Sequence, residues 1–185
     1  MTEFSKISEM NRVWTRTLEL KADSRGIFSE IFRYDDSPNP NLSFVQDSFS
    51  RSKINVLRGL HVQVDQWQLV TVLMGSIVDF LIDLNSLSDS YLQVHQRVLT
   101  SNGENQILIG PGIAHGFYVP DCETILHYKS SKYYGETEQF VINIFDDPFK
   151  VLLPNNNYIS SERDKLANPL SFFLVDSNFL KKMRA

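Results

Sequence analysis

Short segments rich in Val, Ile, Leu, Phe and Tyr follow one another along most of the chain, separated by Gly, Asn, Asp, Ser and Pro. Before Pro154, no run of about 11 residues or more repeats its apolar positions at the 3.6-residue period of a helix. Closely spaced strands with so few helices are typical of a β-sandwich or barrel, and 185 residues are enough for a jelly roll. The sequence therefore predicts an all-β protein.

The expected strands are separated by clear turn signals. They span 13–20, 27–34, 42–50, 55–63, 67–76, 77–84, 93–101, 105–112, 115–120, 123–131, 139–146 and 150–154. Gly75 lies between two apolar runs and predicts a hairpin or a sharp bend. Residues 161–170 form the best short helix, with Ser161 as its N-cap. We expect one domain over 1–185, with a core at about 13–154 and a C-terminal segment at 155–185.

The charge and cysteine content exclude several classes of protein. A formal net charge of −4 argues against a general binder of nucleic acid or of a membrane surface. Cys122 is the only cysteine, so no disulfide can form within the chain. The N-terminus lacks a signal-peptide pattern, and no apolar stretch approaches about 18 residues. We therefore expect a cytoplasmic protein with neither nucleic acid nor membrane as a partner.

The segment VLRGLHVQ, residues 56–63, places basic residues inside an expected strand. By simple alternation Arg58 and His61 point to opposite faces, unless a bulge at Gly59 re-aims one of them. Neither face is cleanly apolar, which favours a site over a core position. A solvated face or a strand at the sheet edge is the alternative.

The histidine spacing does not support a metal site. A His-x-His pair on one strand face would require histidine at position 63, where the chain has Gln63. His115 follows a Gly-Pro turn, but one histidine does not hold a metal. We therefore expect no metal.

Without a metal, His61 can still act as a general base if a carboxylate orients its ring. Arg58 and Arg25 suit an anionic substrate, although an arbitrary arginine is more often a solvated surface residue. Tyrosines at 128, 133 and 134 can act as acids, but packing is the commoner role for such a cluster. Residue patterns alone thus reach an all-β protein with a candidate anion site around His61.

The order of several longer motifs carries a resemblance that spans about Val13 to Asp164. They read DSRGIFSEIF (23–32), FVQDSFSRSKINVLRGLH (44–61), VDFLIDLNSLSDSY (78–91), GIAHGFYV (112–119), YKSSKYYGETEQ (128–139), DDP (146–148) and ISSERD (159–164). Together they resemble the dTDP-4-dehydrorhamnose 3,5-epimerases, a metal-free branch of the cupin jelly rolls. The resemblance implies a cupin-like double-stranded β-helix jelly roll with short C-terminal helices.

The resemblance also implies three catalytic roles. His61 is the expected base that removes the proton beside the C4 ketone, and Asp164 is expected to support its imidazole. Tyr128 is the expected proton donor on the opposite face of the sugar. Inverting a stereocentre requires a base on one face and an acid on the other, because returning the proton to the same side changes nothing.

Substrate contacts are implied in the same way. The positions that match contacts to the pyrophosphate and neighbouring groups are Arg25, Gln46 and Arg58, and His115 matches a sugar contact. Phe28 and Glu30 match positions that reach across a dimer interface. Tyr134 and Glu138 match the region that flanks the nucleobase or the sugar.

Two departures from the family pattern leave the substrate open. Gln68 stands where the family usually has a lysine that stabilises the enolate, although its amide can still donate a hydrogen bond. The shorter loop before it, with its tryptophan, is similar to relatives that act on nucleotide-linked 4-keto heptoses. The tripeptide QDS at 46–48 replaces the QDN or QxN usual in dTDP-rhamnose enzymes.

The sequence therefore predicts an isomerase that needs no cofactor. Its substrate is expected to be a nucleotide-diphosphate 4-keto sugar of the dTDP-6-deoxyhexose or GDP-heptose type, inverted at C3, C5 or both for surface polysaccharide synthesis. The alternatives are a single-centre epimerase or keto-sugar isomerase on the same scaffold, and a weakened relative that only binds nucleotide sugars. We also expect a homodimer, because the edge around GIFSEIF otherwise exposes unpaired backbone and aromatic side chains.

Overall fold

Two antiparallel sheets form the body of the protein in the computed structural model, which describes residues 2–154 and 157–184. Strands and helices are numbered in chain order. The first sheet has the order β1 (Ser5–Lys6), β2 (Val13–Arg16), β10 (Gln106–Ile109), β7 (Gln68–Met74), β12 (Thr124–Ser130) and β5 (Gln46–Ser52). The second sheet has the order β13 (Gln139–Val141), β6 (Leu57–Gln63), β11 (Ile113–Tyr118), β8 (Ser76–Asp83) and β9 (Val94–Thr100).

A separate hairpin, β3 (Lys21–Asp23) and β4 (Gly26–Phe28), belongs to neither sheet. It follows β2, and it turns at the expected DSRG segment. The strand expected over 27–34 ends early, at Phe28, and residues 34–36 form a 3-10 turn. This hairpin projects two exposed apolar side chains, Ile27 and Phe28.

The bend expected at Gly75 is confirmed, and it joins the two sheets. Gly75 lies between β7 of the first sheet and β8 of the second, with φ at 81°. A Cβ at this position would lie 2.4 Å from Oγ1 of Thr124, so the crossing requires glycine. The chain thus passes from one layer to the other without a loop.

Strand β8 explains how the chain builds two apolar cores. Phe80 and Ile82 face the C-terminal helices, whereas Ile77 and Leu81 face the first sheet, and all four side chains are fully buried. Alternation along one strand therefore fills both layers. Asp79 shares the inward face of Ile77 and Leu81, which places a buried carboxyl between the sheets.

The C-terminal segment packs on the outer face of the second sheet through three short helices. These are α1 (Glu162–Lys165), α2 (Leu170–Leu174) and α3 (Ser177–Lys182). The expected cap is confirmed, since Oγ of Ser161 accepts a hydrogen bond from the Asp164 N–H, but the helix ends after one turn. The strand expected at 150–154 is wrong: residues 150–152 form a 3-10 turn that follows the buried Phe149.

The strand content, the two facing sheets and the short terminal helices match the jelly-roll expectation. No helix among residues 2–154 and 157–184 is long and apolar enough to cross a membrane.

Candidate active site

A cavity of about 240 Å³ opens between the two sheets, and polar side chains from their facing surfaces line it. The first sheet contributes Ser50, Gln68 and Tyr128. The second sheet contributes Arg58, His61, Gln63, His115 and Gln139. A ligand held here has residues of one sheet on one side and residues of the other sheet on the opposite side.

A β-bulge brings Arg58 and His61 into the same cavity. In the pairing of β6 with β11, His61 lies opposite His115 and Arg58 lies opposite Phe117, so three steps along one strand match two along the other. The extra residue cancels the alternation that would have sent these side chains to opposite faces. The bulge considered at Gly59 in the sequence is therefore the arrangement that the structure shows.

Two glycines allow this bulge to pack. Gly59 has a φ of 113°, and a Cβ there would lie 2.6 Å from Cα of Gly116. A Cβ on Gly116 would in turn lie 2.5 Å from the carbonyl oxygen of Arg58. The strands approach so closely that neither position has room for a side chain.

His61 and Asp164 form a hydrogen-bonded pair. Oδ1 of Asp164 accepts a hydrogen bond from Nε2 of His61 at 2.9 Å, and its Oδ2 faces the N–H of Gly59 at 3.4 Å. The Asp164 side chain is only 5% exposed, and burial on its own would raise its pKa. The bonds from His61 and Gly59 outweigh that effect and hold the pKa below its usual value. With its proton on Nε2, His61 keeps Nδ1 free to act as a base.

Tyr128 faces this pair from the first sheet. Its hydroxyl lies 3.0 Å from Oγ of Ser50, and its side chain lines the same cavity as His61. Burial raises the pKa of the phenol, although Ser50 and the charge of Arg58 act in the opposite direction. Tyr128 is therefore a protonated acid at neutral pH.

His115 lies between Gln68 and a carboxyl that the sequence interpretation missed. Its Nε2 is 3.2 Å from Oε1 of Gln68, and its Nδ1 is 3.6 Å from Oδ1 of Asp79. Burial raises the pKa of Asp79, which is 1% exposed. An acid within an apolar strand, as in IVDFLI, is the signal that could have identified Asp79.

A second cavity, of about 380 Å³, adjoins the first and shares Gln63, Gln68, Tyr128 and Gln139 with it. Besides Gln68, two expected substrate residues lie here: Tyr134, whose N–H donates to Oε1 of Gln46 at 2.7 Å, and Gln46 itself.

Arg163 also lines this outer cavity and donates to Oε1 of Gln139 at 2.7 Å. The sequence interpretation did not select Arg163, Gln63, Gln139 or Ser50 as site residues. Arg163 directly precedes Asp164 in α1, so its position next to an expected catalytic residue was the available signal.

Of the five remaining expected substrate residues, all but Arg58 lie outside both cavities. Arg58 lines the inner cavity and donates from Nε to Oγ of Ser52 at 3.2 Å. Glu138 lines neither cavity and pairs with Nζ of Lys182 at 2.6 Å. Arg25 and Phe28 lie on the separate hairpin, with the Arg25 side chain 88% exposed and paired with Asp23.

Glu30 follows the same hairpin, and it pairs with Arg33 rather than with any cavity residue. Within one chain, the structure therefore does not bring Arg25, Phe28 and Glu30 to the cavity that holds His61.

The family model described as dTDP-4-dehydrorhamnose 3,5-epimerase matches residues 8–171, which include His61, Tyr128 and Asp164. The chain belongs to this family. A dTDP-4-dehydrorhamnose 3,5-epimerase from Methanothermobacter thermautotrophicus is 34% identical over 159 residues, covering 82% of this chain and 86% of that protein. Membership confirms the expected enzyme class, because these epimerases are isomerases.

Solved structures agree with that assignment. An epimerase from Legionella pneumophila, in complex with dTDP-4-keto-L-rhamnose, has a TM-score of 0.83 at 32% identity and covers 96% of this chain and 95% of its own. A 4-keto-6-deoxy sugar epimerase from Streptomyces spheroides has a TM-score of 0.82 at 26% identity, covering 92% and 88%. The cupin-like jelly roll expected from the motifs is thereby confirmed.

Proposed function

We propose that this protein epimerises a dTDP-linked 4-keto-6-deoxyhexose by removing and returning a proton next to the ketone. The observation that carries the proposal is the placement of two proton-transfer groups on opposite walls of one cavity: His61 on the second sheet, paired with Asp164 of α1, and Tyr128 on the first sheet. A sugar ring bound between the sheets has the base on one face and the acid on the other.

The proposed reaction follows from these groups. Nδ1 of His61 takes the proton from the carbon beside C4, and the electron pair moves onto the ketone oxygen as an enolate. Asp164 stabilises the positive charge that His61 gains. Tyr128 then gives its phenolic proton to the opposite face of the same carbon, which inverts it. Exchange with solvent returns both groups to their starting protonation states.

The charges around the cavities suit a nucleotide diphosphate. Arg58 lies in the inner cavity and Arg163 in the outer one, so a ligand that runs from one to the other passes two guanidinium groups. The complex of the Legionella relative with dTDP-4-keto-L-rhamnose supports a dTDP sugar as the first substrate to test. A GDP-linked 4-keto heptose, which the shorter loop before Gln68 suggested, is the second candidate.

We further propose that the working form is a homodimer whose sites are completed by the neighbouring hairpin. Phe28 is 65% exposed and Ile27 64% exposed, and Ile27 borders a groove with Leu73 and Met74. Covering these side chains with a second copy removes apolar surface from water. Such a dimer supplies Arg25, Phe28 and Glu30 to the site of the partner. A cytoplasmic location and a role in surface polysaccharide synthesis remain predictions.

Incubation with 4-keto sugars in D₂O tests the proposed function. Mass spectrometry counts the deuterons gained by dTDP-4-keto-6-deoxyglucose and by a GDP-4-keto heptose: two indicate exchange at C3 and C5, and one indicates exchange at a single centre. NMR of the product then shows which of these centres is inverted. His61→Asn serves as the paired variant and is expected to bind the nucleotide sugar without exchange. If the wild type binds both sugars and exchanges neither, the protein is a binding relative and the proposal is wrong.

A further inference from the structure

Gln68 stands where the family resemblance places a lysine, and its hydrogen bonds have a defined direction. Gln66, which is 5% exposed, donates from Nε2 to the carbonyl oxygen of Lys132 at 2.9 Å. A carbonyl oxygen can only accept, so this bond fixes which end of the Gln66 amide faces which way. Oε1 of Gln66 is therefore the atom turned toward Gln68.

The orientation passes along the chain of contacts. Oε1 of Gln66 can only accept, and Nε2 of Gln68 donates to it at 3.3 Å. This places Oε1 of Gln68 against Nε2 of His115, at 3.2 Å. Since Oε1 of Gln68 also only accepts, Nε2 of His115 must carry a proton. The carbonyl of Lys132 thus sets the hydrogen-bonding direction of His115, three contacts away.

The other end of this series of contacts, at Asp79, is consistent with the same direction. When Nε2 carries the only proton of the ring, His115 presents a bare Nδ1 to Oδ1 of Asp79 at 3.6 Å. An ionised carboxylate there would repel the nitrogen lone pair, whereas a protonated carboxyl faces it with a donor. Burial favours the protonated form by raising the pKa of Asp79. Nδ1 of His115 and Oδ2 of Asp79 have no hydrogen-bond partner among the described residues.

We propose that Gln66 and Asp79 are positioning residues that hold Gln68 and His115 in one orientation, so that Gln68 presents its second amide N–H to the enolate oxygen. That N–H has no acceptor within residues 2–154 and 157–184, and Gln68 lines the inner cavity. The inference rests on the proposed function, since it names the group that replaces the family's lysine.

Replacing Gln68 by lysine distinguishes this inference from a simpler view, in which the glutamine is only a weak substitute for the family's lysine. An ammonium group has three donors and no acceptor, so the introduced lysine cannot accept a hydrogen bond from Nε2 of His115. Gln68→Lys is therefore expected to lower kcat, despite restoring the residue usual in the family. A rise in kcat for Gln68→Lys would overturn the proposal.

The proton on His115 gives a test that does not depend on activity. In ¹⁵N-histidine-labelled protein, long-range ¹H–¹⁵N spectra report which ring nitrogen is protonated, and His115→Gln identifies the signal. The wild type is expected to carry a proton on Nε2 of His115. Finding Nε2 bare would overturn the proposal even in an active enzyme. The spectrum can be read equally well if no sugar reacts, so failure of the proposed function is seen separately.

Gln66→Leu removes the hydrogen bonds that orient the Gln68 amide, while keeping a buried side chain of similar size. Released from Gln66, the Gln68 amide can turn over, so the Nε2 proton of His115 is expected to be lost or shared with Nδ1. We expect kcat to fall by about tenfold to a hundredfold, with KM changed less than about threefold, because only a transition-state contact is misplaced.

Gln96→Leu is the matched control, since Gln96 is exposed on β9 and lines neither cavity. It is expected to leave kcat and the His115 spectrum unchanged. Should Gln66→Leu fold poorly, Gln66→Met removes the same hydrogen bonds and has a more adaptable side chain. If folded Gln66 variants keep both the wild-type spectrum and the wild-type kcat, Gln66 does not position Gln68.

Discussion

Oδ1 of Asp164 lies 2.9 Å from Nε2 of His61, although 103 residues of chain separate the two positions. A helix of one turn, capped by Ser161, holds the carboxylate against the bulged strand β6. The pair is built by three local features: the cap, the bulge and the absence of a side chain at Gly59.

Asp164→Asn tests the pair itself. An amide cannot offset the charge that His61 gains, and it can present an N–H to Nε2 and so favour the wrong tautomer. We expect kcat to fall by about two to four orders of magnitude, with nucleotide-sugar affinity little changed. Steady-state kinetics and calorimetric titration check the two parts. A kcat within about twofold of the wild type would remove Asp164 from the mechanism.

The lowered pKa of Asp164 makes a prediction about stability. A carboxyl whose folded pKa lies below its unfolded value stabilises the fold above the unfolded value, near 3.8, and loses that contribution as the pH falls through the folded value. The wild type should therefore exceed Asp164→Asn in unfolding free energy at neutral pH, and the difference should shrink below 3.8. Urea denaturation at several pH values measures it. A difference that stays constant with pH would contradict the assignment.

Gly59→Ala tests the bulge. The new methyl group would meet Cα of Gly116 at 2.6 Å, in a backbone conformation that L-residues rarely adopt. We expect a loss of at least about 2 kcal/mol in stability and a larger loss in activity, since Arg58 and His61 depend on the same bulge. Thermal unfolding and turnover are measured together. Gly103→Ala is a control outside the bulge, where a Cβ would meet only the flexible Oγ1 of Thr100.

Subunit mixing tests whether the hairpin completes a neighbouring site. His61→Asn removes the base, and Phe28→Ala removes the aromatic side chain that the hairpin is proposed to supply to the neighbouring site. A homodimer of either variant alone should therefore be nearly inactive. In a mixed dimer, one site has an intact His61 and receives an intact Phe28 from the partner. If equal amounts of the two variants reassemble at random, about a quarter of the wild-type activity should be restored, averaged over all sites. Activity equal to the average of the two separate variants would show that Phe28 acts in its own chain or not at all.

The fold was largely predictable because strand-forming segments and turn residues alternate so regularly along this sequence. Errors fell where tertiary packing overrides local preference: residues 150–154 have an apolar, strand-like pattern, but residues 150–152 form a 3-10 turn beside the buried Phe149. Residue patterns pointed to His61, whereas Tyr128 as the acid and Asp164 as the partner of His61 came only from the family motifs. Their convergence depends on which strands face each other, and this is a property of topology rather than of local sequence.

Other site features had no local signature. The contact of Gln66 with the carbonyl of Lys132 joins residues 66 positions apart, and no periodic pattern reports it. Alternation alone placed Arg58 and His61 on opposite faces, and only the pairing of β6 with β11 shows where the extra residue lies.

Tyr128→Phe provides the most direct test that base and acid work from opposite sheets. The variant keeps His61 and Asp164 but loses the phenolic proton, so His61 should still exchange the substrate proton with D₂O and return deuterium to the same face. Mass spectrometry then shows deuterium uptake, and NMR shows a sugar whose stereochemistry is unchanged. Inversion at the wild-type rate by Tyr128→Phe would contradict the two-sided mechanism.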